Sequence, residues 1–309
     1  MINTEKQKLI RKLVKEKKII ILAHWYTNQE VQQVADFVGD SLTLLKKCAD
    51  TDKTILFCGV NFMAETIKAM FPKLKIIVPD YNATCTLAVE SDNTKILKWK
   101  ESYKNSYLIS YINSSLELKK MSDIICTSSN FKTIIENAPT DKTILFAPDK
   151  NLGTYANNLI GSDMILWNRT CCVHDNMDHS LLEDWIIKYP DAPILAHPEC
   201  QMKILNKADL VGSTTAIIDF VTKSKNTEFI IATETGIQWK LKEKFPNKKL
   251  MFLTQKGTKN NDSNCVNMKK HNLDKIITAI NNQSPEVVID KALGKAAAIP
   301  IKRMLETVK

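Results

Sequence analysis

One strand-and-helix unit occurs three times in this chain, and that repetition limits the fold more than any other feature. Each copy opens with an apolar strand that ends in a polar tip, at 19–28 (IIILAHWYTN), 107–114 (YLISYINS) and 194–200 (ILAHPEC). His24, Tyr111 and His197 mark the tips, 87 and then 86 residues apart. A second strand runs into a small polar turn and a helix, in ILFCGVNFMAET, IICTSSNFKTII and LVGSTTAIIDF. A third strand ends in an acid, at Asp80, Asp149 and Glu234. The steps from Gly59 to Asp80, Ser128 to Asp149 and Ser213 to Glu234 are all 21 residues. A period this long predicts three similar domains rather than a short-period solenoid. Each unit then supplies a cysteine at a comparable place, Cys85, Cys171 and Cys265.

The 309 residues exceed the usual single-core size and accommodate three domains of ordinary length. IIILA, TILFCGV, TILFAP and EFIIAT are continuous apolar runs, as parallel strands covered on both faces require. The expected class is α/β, with three αβα domains on short parallel sheets over 1–105, 106–192 and 193–283 and a helical tail over 284–309. In open parallel sheets ligands collect beyond the carboxyl ends of the strands. Domains packed about a pseudo-threefold axis would bring all the tips to one junction, the expected active site. Val31, Val34, Val38, Leu42 and Leu45 predict one long helix over 30–47, with Ser41 on or beside its buried face. The tail predicts a helix, a turn directed by Pro300 and a short basic helix.

Composition narrows the functions. The net charge is +9, but the lysines are spread among acids and no arginine-rich or aromatic-interleaved basic stripe occurs, which argues against nucleic acid as a partner. A mild positive field favours small anionic substrates. No apolar run is long enough to span a bilayer, and the charged N-terminus lacks the core of a signal peptide, so the chain reads as cytoplasmic and free of membrane partners. There is no P-loop and no G-x-G-x-x-G.

Eight cysteines in such a chain point to metal or reactive thiols rather than disulfides. Cys48, Cys58 and Cys126 lie in apolar elements and read as core. Cys85, Cys171, Cys172, Cys200 and Cys265 lie in polar loops after strands and are the ligand candidates. Three thiolates with an open position suit either zinc or a 4Fe–4S cluster. The absence of C-x₂-C spacing weighs against structural zinc. Of the neighbours Cys171 and Cys172, only one can reach a common centre.

AHWYTNQEVQQVADFVGDS, CGVNFMAET, PDYNATC, SYINSS, CTSSN, FAPDKNLG, HPEC, GST, CVNMK and IPIKRML, in this order over essentially the whole chain, resemble the quinolinate synthase family. The resemblance implies three pseudo-symmetric αβα domains with a 4Fe–4S cluster at their junction. It also implies condensation of iminoaspartate with dihydroxyacetone phosphate to quinolinate, phosphate and water, a step of NAD synthesis. An enzyme supplying iminoaspartate is a candidate partner. By motif, the cluster ligands are Cys85 in NATC, Cys171 in W-x-x-x-C-x-V-H (Trp167 to His174) and Cys265 in C-x-N-M-K. One iron is left open as a Lewis acid. The chain departs from the family pattern at Arg169, where glycine is common, and Met268 stands where some members carry a further cysteine.

The resemblance assigns substrate binding to His24, Ser41, Tyr111, Asn113, Ser128, His197, Glu199, Ser213 and Thr214. Neutral donors at helix starts suit carboxylates and phosphate. The acid–base steps fall to Glu199, His24, Tyr26 and His197. Each residue type has a structural use when met alone: a histidine can end a strand, and serine or threonine can cap a helix. Their common placement at equivalent tips sets them apart. The rival readings are an iron–sulfur electron carrier or sensor and a zinc-stabilised RNA-binding protein. Neither needs a His–Tyr–Glu constellation.

Overall fold

The computed structural model describes residues 4–49, 51–257 and 263–308. Among these described residues twelve strands form three four-stranded parallel sheets. The first contains β1 (Ile19–His24), β2 (Phe37–Gly39), β3 (Thr54–Cys58) and β4 (Ile76–Ile77). The second contains β5 (Ser106–Tyr111), β6 (Ile124–Cys126), β7 (Thr143–Ala147) and β8 (Ile165–Leu166). The third contains β9 (Ile194–Ala196), β10 (Leu210–Val211), β11 (Glu228–Ala232) and β12 (Lys249–Phe252). The spatial orders β2-β1-β3-β4, β6-β5-β7-β8 and β10-β9-β11-β12 are the same arrangement three times.

The central strands carry the cores. Ile21, Phe57, Phe146 and Ile231 are fully buried, as parallel strands covered on both faces demand. Among the described residues no helix is long and apolar enough to cross a membrane.

The repeat is present, but its first unit is offset from the expected alignment. Ala23 pairs with Cys58, Ser110 with Ala147 and Ala196 with Ala232, so β3 is the counterpart of β7 and β11. The second strand of the first unit is therefore Phe37–Gly39, not the stretch at 55–60. Ser41, not Gly59, corresponds to Ser128 and Thr214, and Val60, not Asp80, occupies the place of Asp149 and Glu234. The constant 21-residue step compared unlike elements in the first unit.

The long helix expected over 30–47 is two helices, Gln29–Val34 and Ser41–Lys47, with β2 between them. Residues 31, 34 and 38 do have helical spacing, but the open edge of β1 offers backbone partners that a continuous helix could not use. The Asp36 carboxylate accepts the Ile21 N–H at 2.8 Å, and Leu22, Ala23 and His24 pair with Phe37, Val38 and Gly39. Asp40 then caps the second helix by accepting from Thr43 N–H at 2.9 Å.

The tail also differs from expectation. Pro300 lies inside a single helix, Lys291–Thr307. Pro300 and Ile301 are buried, and the helix packs on the helices Asn61–Met70 and Leu116–Met121 and on β6, ties that hold it together where proline removes one internal bond. It thereby spans the first and second sheets. The preceding Pro285–Val287 segment lies antiparallel beside β4, with Val78 N–H donating to Pro285 O and Val287 N–H to Ile76 O.

Candidate active site

The register brings three tips into equivalent positions. His24, Tyr111 and His197 each follow the paired residue of the sheet's first strand, and Tyr26, Asn113 and Glu199 each stand two residues farther on. One cavity is lined by His24, Tyr26, Ser41, Tyr111, Asn113, Ser128, His197, Glu199, Thr214 and the cysteines Cys85, Cys171 and Cys265. Of the substrate, acid–base and cluster residues expected from the family resemblance only Ser213 is not among its walls, and the further candidate Cys200 also lies outside them. Its hydroxyl accepts from Ala216 N–H at 3.3 Å and caps the helix Thr214–Lys223, which leaves Thr214 as the hydroxyl at the cavity. Ser41 stands in the same way after the cap Asp40. Ser128 does not open a helix. The helix begins at Phe131 after Asn130, whose side-chain oxygen accepts from Thr127 N–H, so Ser128 lies in the intervening turn.

The two histidine tips share a local device. His24 Nδ1 accepts from Tyr26 N–H at 3.2 Å, and His197 Nδ1 accepts from Glu199 N–H at 3.4 Å. A neutral imidazole with Nδ1 accepting carries its proton on Nε2, which makes each ring a donor to a ligand. Burial pushes the His24 pKa down to about 4 and that of His197 down to about 3, so both rings are neutral near pH 7. Burial likewise pushes the phenols of Tyr26 and Tyr111 up, keeping them protonated donors.

Glu199 is the hub. Tyr111 donates to its Oε1 at 2.6 Å, Asn113 Nδ2 to the same oxygen at 3.2 Å, and His174 Nδ1 lies 2.9 Å from Oε2. Burial alone would raise the carboxyl pKa. His197 and His174, with the hydrogen bonds from His174 and Tyr111, outweigh it and hold the group well below the usual carboxylate range. The His174 ring stacks on His197 with centroids 4.6 Å apart. Its Nε2 lies 3.1 Å from Thr233 Oγ1, which is 3.0 Å from the Tyr26 hydroxyl, itself 2.8 Å from Thr214 Oγ1.

The cysteines divide by surroundings. Cys48, Cys58, Cys126 and Cys200 are buried, and Cys200 donates its thiol to Ala232 O at 3.3 Å. Cys200, a loop candidate from sequence, is thus a core residue. Cys172 is exposed at the cavity edge with Sγ 3.6 Å from Thr86 Oγ1. Cys85, Cys171 and Cys265 are half-buried on the cavity wall, one from each unit.

Two acids brace this wall symmetrically. Asp149 accepts from Cys171 N–H at 3.1 Å on one oxygen and from Leu152 N–H at 2.8 Å on the other. Glu234 accepts from Cys265 N–H at 3.1 Å and from Gly236 N–H at 2.6 Å. Lys269 joins Glu234 Oε1 at 2.8 Å to the Tyr26 carbonyl at 2.7 Å, tying the third unit to the first.

This wall fits a metal group. Burial pushes the Cys85 thiol up to about 12 and that of Cys265 up to about 11, and pushes Cys171 up as well, so three thiolates there call for cationic compensation. Sulfur donors from three separate loops suit an iron–sulfur cluster. Cys171, His174 and Glu199 also place ligand atoms within 4.8 Å of one another, a second group able to hold a metal ion. The 2.9 Å His174–Glu199 contact is that of a hydrogen bond, which a cation between them would have to replace.

His174, Thr233, Asp149 and Glu234 were not among the site residues expected from sequence. His174 had a visible signal, since it closes the motif that begins at Trp167. Asp149 and Glu234 were recognisable as strand-end acids, but not as braces. Thr233 carried no signal.

The arrangement combines neutral N–H and O–H donors, an ionised carboxylate and a thiol wall in a buried cavity, which suits proton transfers on anionic, carbonyl-bearing substrates. Comparison with known proteins gives the family. The family model described as Quinolinate synthetase A protein matches residues 8–306. The quinolinate synthase of Trichodesmium erythraeum is 42% identical over 299 residues, covering 96% of this chain and 92% of that protein. That of Chlorobaculum parvum is 42% identical over 295 residues, 95% of this chain and 91% of that protein. That of Synechocystis sp. is 41% identical over 298 residues, 96% and 93% of the two chains. With the match extending from the first helix through most of the last, this chain belongs to the quinolinate synthetase A family of enzymes.

Proposed function

We propose that the protein is a quinolinate synthase of NAD biosynthesis that condenses iminoaspartate with dihydroxyacetone phosphate to quinolinate, phosphate and water. The observation that carries this reading is Glu199, a buried carboxylate of the third unit held by three groups of the second, in the cavity that also collects one cysteine from each unit. An electron carrier has no use for such a group. The proposed compartment is the cytoplasm, and an enzyme supplying iminoaspartate is the proposed partner. The unit division at 105/106, 192/193 and 283/284 is proposed with it.

Cys85, Cys171 and Cys265 would hold a 4Fe–4S cluster, with the Asp149 and Glu234 carboxylates fixing the backbones of the last two. When bound, such a cluster supplies a Lewis acid at the iron that lacks a protein ligand. The chain's own groups do the rest. The Nε2–H groups of His24 and His197 bind substrate oxygens as neutral donors. The hydroxyls of Ser41, Ser128 and Thr214 receive carboxylate or phosphate. Ser213 acts through its cap, which sets Thr214 in place. Glu199 takes the proton released on enolisation and returns it to a leaving hydroxyl, while Tyr111 and Asn113 hold its Oε1. Tyr26 stands ready to protonate an oxygen of the substrate. Burial excludes the water that would hydrolyse an imine.

The test is quinolinate formation from the two substrates by protein reconstituted with iron and sulfide under anaerobic conditions. A brown protein that makes quinolinate supports the reading. A colourless, zinc-loaded and inactive one refutes it.

A further inference from the structure

We propose that Thr233 is a positioning residue for the proton-transfer site, its hydroxyl setting the tautomer of His174 and the orientation of the Tyr26 phenol. The inference rests on the reading of Glu199 as the group that moves protons.

The argument is a count of protons. An ionised carboxylate only accepts hydrogen bonds, so His174 Nδ1, 2.9 Å from Glu199 Oε2, carries the proton of that contact. In the tautomer protonated at Nδ1, a nitrogen that also lies 3.3 Å from Cys171 Sγ, Nε2 is an acceptor and the hydroxyl 3.1 Å away on Thr233 is the donor. Having one proton and having given it to His174, Thr233 can only accept from the Tyr26 hydroxyl at 3.0 Å. Tyr26 in turn accepts from Thr214 at 2.8 Å. One orientation satisfies every member: Thr214 donates to Tyr26, Tyr26 to Thr233, Thr233 to His174 and His174 to Glu199. Thr233 is the hinge of this chain, because its hydroxyl carries the hydrogen bonds between the tyrosine of the first unit and the histidine that faces the glutamate, whose rings otherwise meet only at 6.3 Å between centroids among the described residues.

The repeat supplies an independent reason to read function into this hydroxyl. Thr233 follows Ala232 at the end of β11, where the other two units carry Gly59 after Cys58 and Pro148 after Ala147. Neither has a hydrogen-bonding side chain, so the fold does not require one at this place. Thr233 is fully buried, and a buried hydroxyl costs free energy unless bonded. Without it, Nε2 of His174 would lose its donor and the Tyr26 proton would lose its fixed direction. The ring stacked on His197 could then settle in the other tautomer, with Nδ1 unable to donate to Glu199.

The test uses the anaerobically reconstituted holoenzyme and four variants, Thr233→Val, Thr233→Ser, Tyr26→Phe and the double variant Thr233→Val/Tyr26→Phe. Valine matches threonine in shape and lacks the hydroxyl, while serine keeps it. Thr233→Ala makes the same deletion should the valine variant not fold. We expect Thr233→Val to keep wild-type iron content and to fold with Tm lowered by only about a few degrees, while kcat falls about ten- to a hundredfold with KM nearly unchanged, the loss of one or two buried hydrogen bonds. Thr233→Ser should restore most of the rate. In the Tyr26→Phe background the valine substitution should cost far less than it does alone. Full turnover by Thr233→Val, no rescue by serine, or independent multiplication of the two losses would overturn the proposal. If the wild-type holoenzyme makes no quinolinate, the functional reading fails by itself, and crystal structures of the variants decide the rest. Displacement of the Tyr26 or His174 ring in Thr233→Val, reversed in Thr233→Ser, supports the positioning role, and unmoved rings in both refute it.

Discussion

The Tyr111 hydroxyl lies 2.6 Å from Glu199 Oε1, and this bond joins the strand tip of the second sheet to that of the third. Because Tyr111 and Glu199 belong to different units, neither is oriented until the units have packed. With Asn113 on the same oxygen and His174 on the other, the carboxylate is held in one position.

Replacing Glu199 by glutamine should keep its volume but remove its charge and put an amide N–H₂ against one of these donors. We expect kcat to fall about a hundredfold or more, in the range of a lost general base, with iron content preserved. Tyr111→Phe should cost less, about 1.5–3 kcal/mol in kcat/KM for one charge-assisted bond. Steady-state kinetics beside iron analysis checks both. Near-normal turnover by the glutamine variant would remove Glu199 from the mechanism.

Single cysteine-to-serine variants should separate into two groups after anaerobic reconstitution. Cys85→Ser, Cys171→Ser and Cys265→Ser should lose the cluster. Cys48→Ser, Cys58→Ser, Cys126→Ser, Cys172→Ser and Cys200→Ser should retain the iron content of folded protein. Loss in Cys172→Ser but not in Cys171→Ser would reverse the choice between the neighbours.

Ser128 and Thr214 should respond differently, although their hydroxyls both face the cavity. Ser128→Ala removes a donor in a turn and should mainly raise KM, by about 1–3 kcal/mol. Thr214→Ala also frees the Tyr26 hydroxyl, 2.8 Å away, and should lower kcat as well. A pure KM effect in both variants would show that the Tyr26 contact is idle.

Lys119 gives a pH-dependent test of stability. Its Nζ donates to Ile112 O at 2.8 Å and to the carbonyl and hydroxyl of Ser114, and lies 5.2 Å over the Phe62 ring. Burial lowers its pKa from 10.5 to about 7, against the opposing influence of Glu65, Cys85 and Glu117. Between those values the unfolded chain binds the proton that the folded chain has released, so stability from this group rises with pH through the window. The difference in unfolding free energy between wild type and Lys119→Met should therefore climb from about pH 7 toward pH 10, at no more than about 1.4 kcal/mol per unit. Urea titrations at several pH values measure it, and a flat difference would contradict the lowered pKa. The lost bonds to Ile112 and Ser114 should add a pH-independent cost of about 1–3 kcal/mol.

The offset in the first unit shows why some elements were hidden in the sequence. Val31, Val34 and Val38 satisfy a helical period, and nothing local reveals that residues 37–39 complete the edge of β1. Edge strands of two or three residues carry too few side chains for an alternating pattern, so β8 is equally faint, whereas β4 and β10 were legible as short apolar stretches before Asp80 and Gly212. Pro300 reads as a break because the ring removes a backbone donor. The continuous helix across it reflects packing against two other units.

By itself the sequence determined the class of fold, the three units and the strand tips with their His, Tyr and Glu side chains. Those properties follow from apolar runs and from polar residues at their ends, which are local and repeat along the chain. It also marked the three cysteines, one per unit. Tertiary structure decided what the tips do to one another. Only packing of the units sets Tyr111 and His174 against Glu199 and gives Thr233 its two partners. Hydrogen bonds between residues scores of positions apart depend on how the sheets meet, and no local pattern in the chain encodes that meeting.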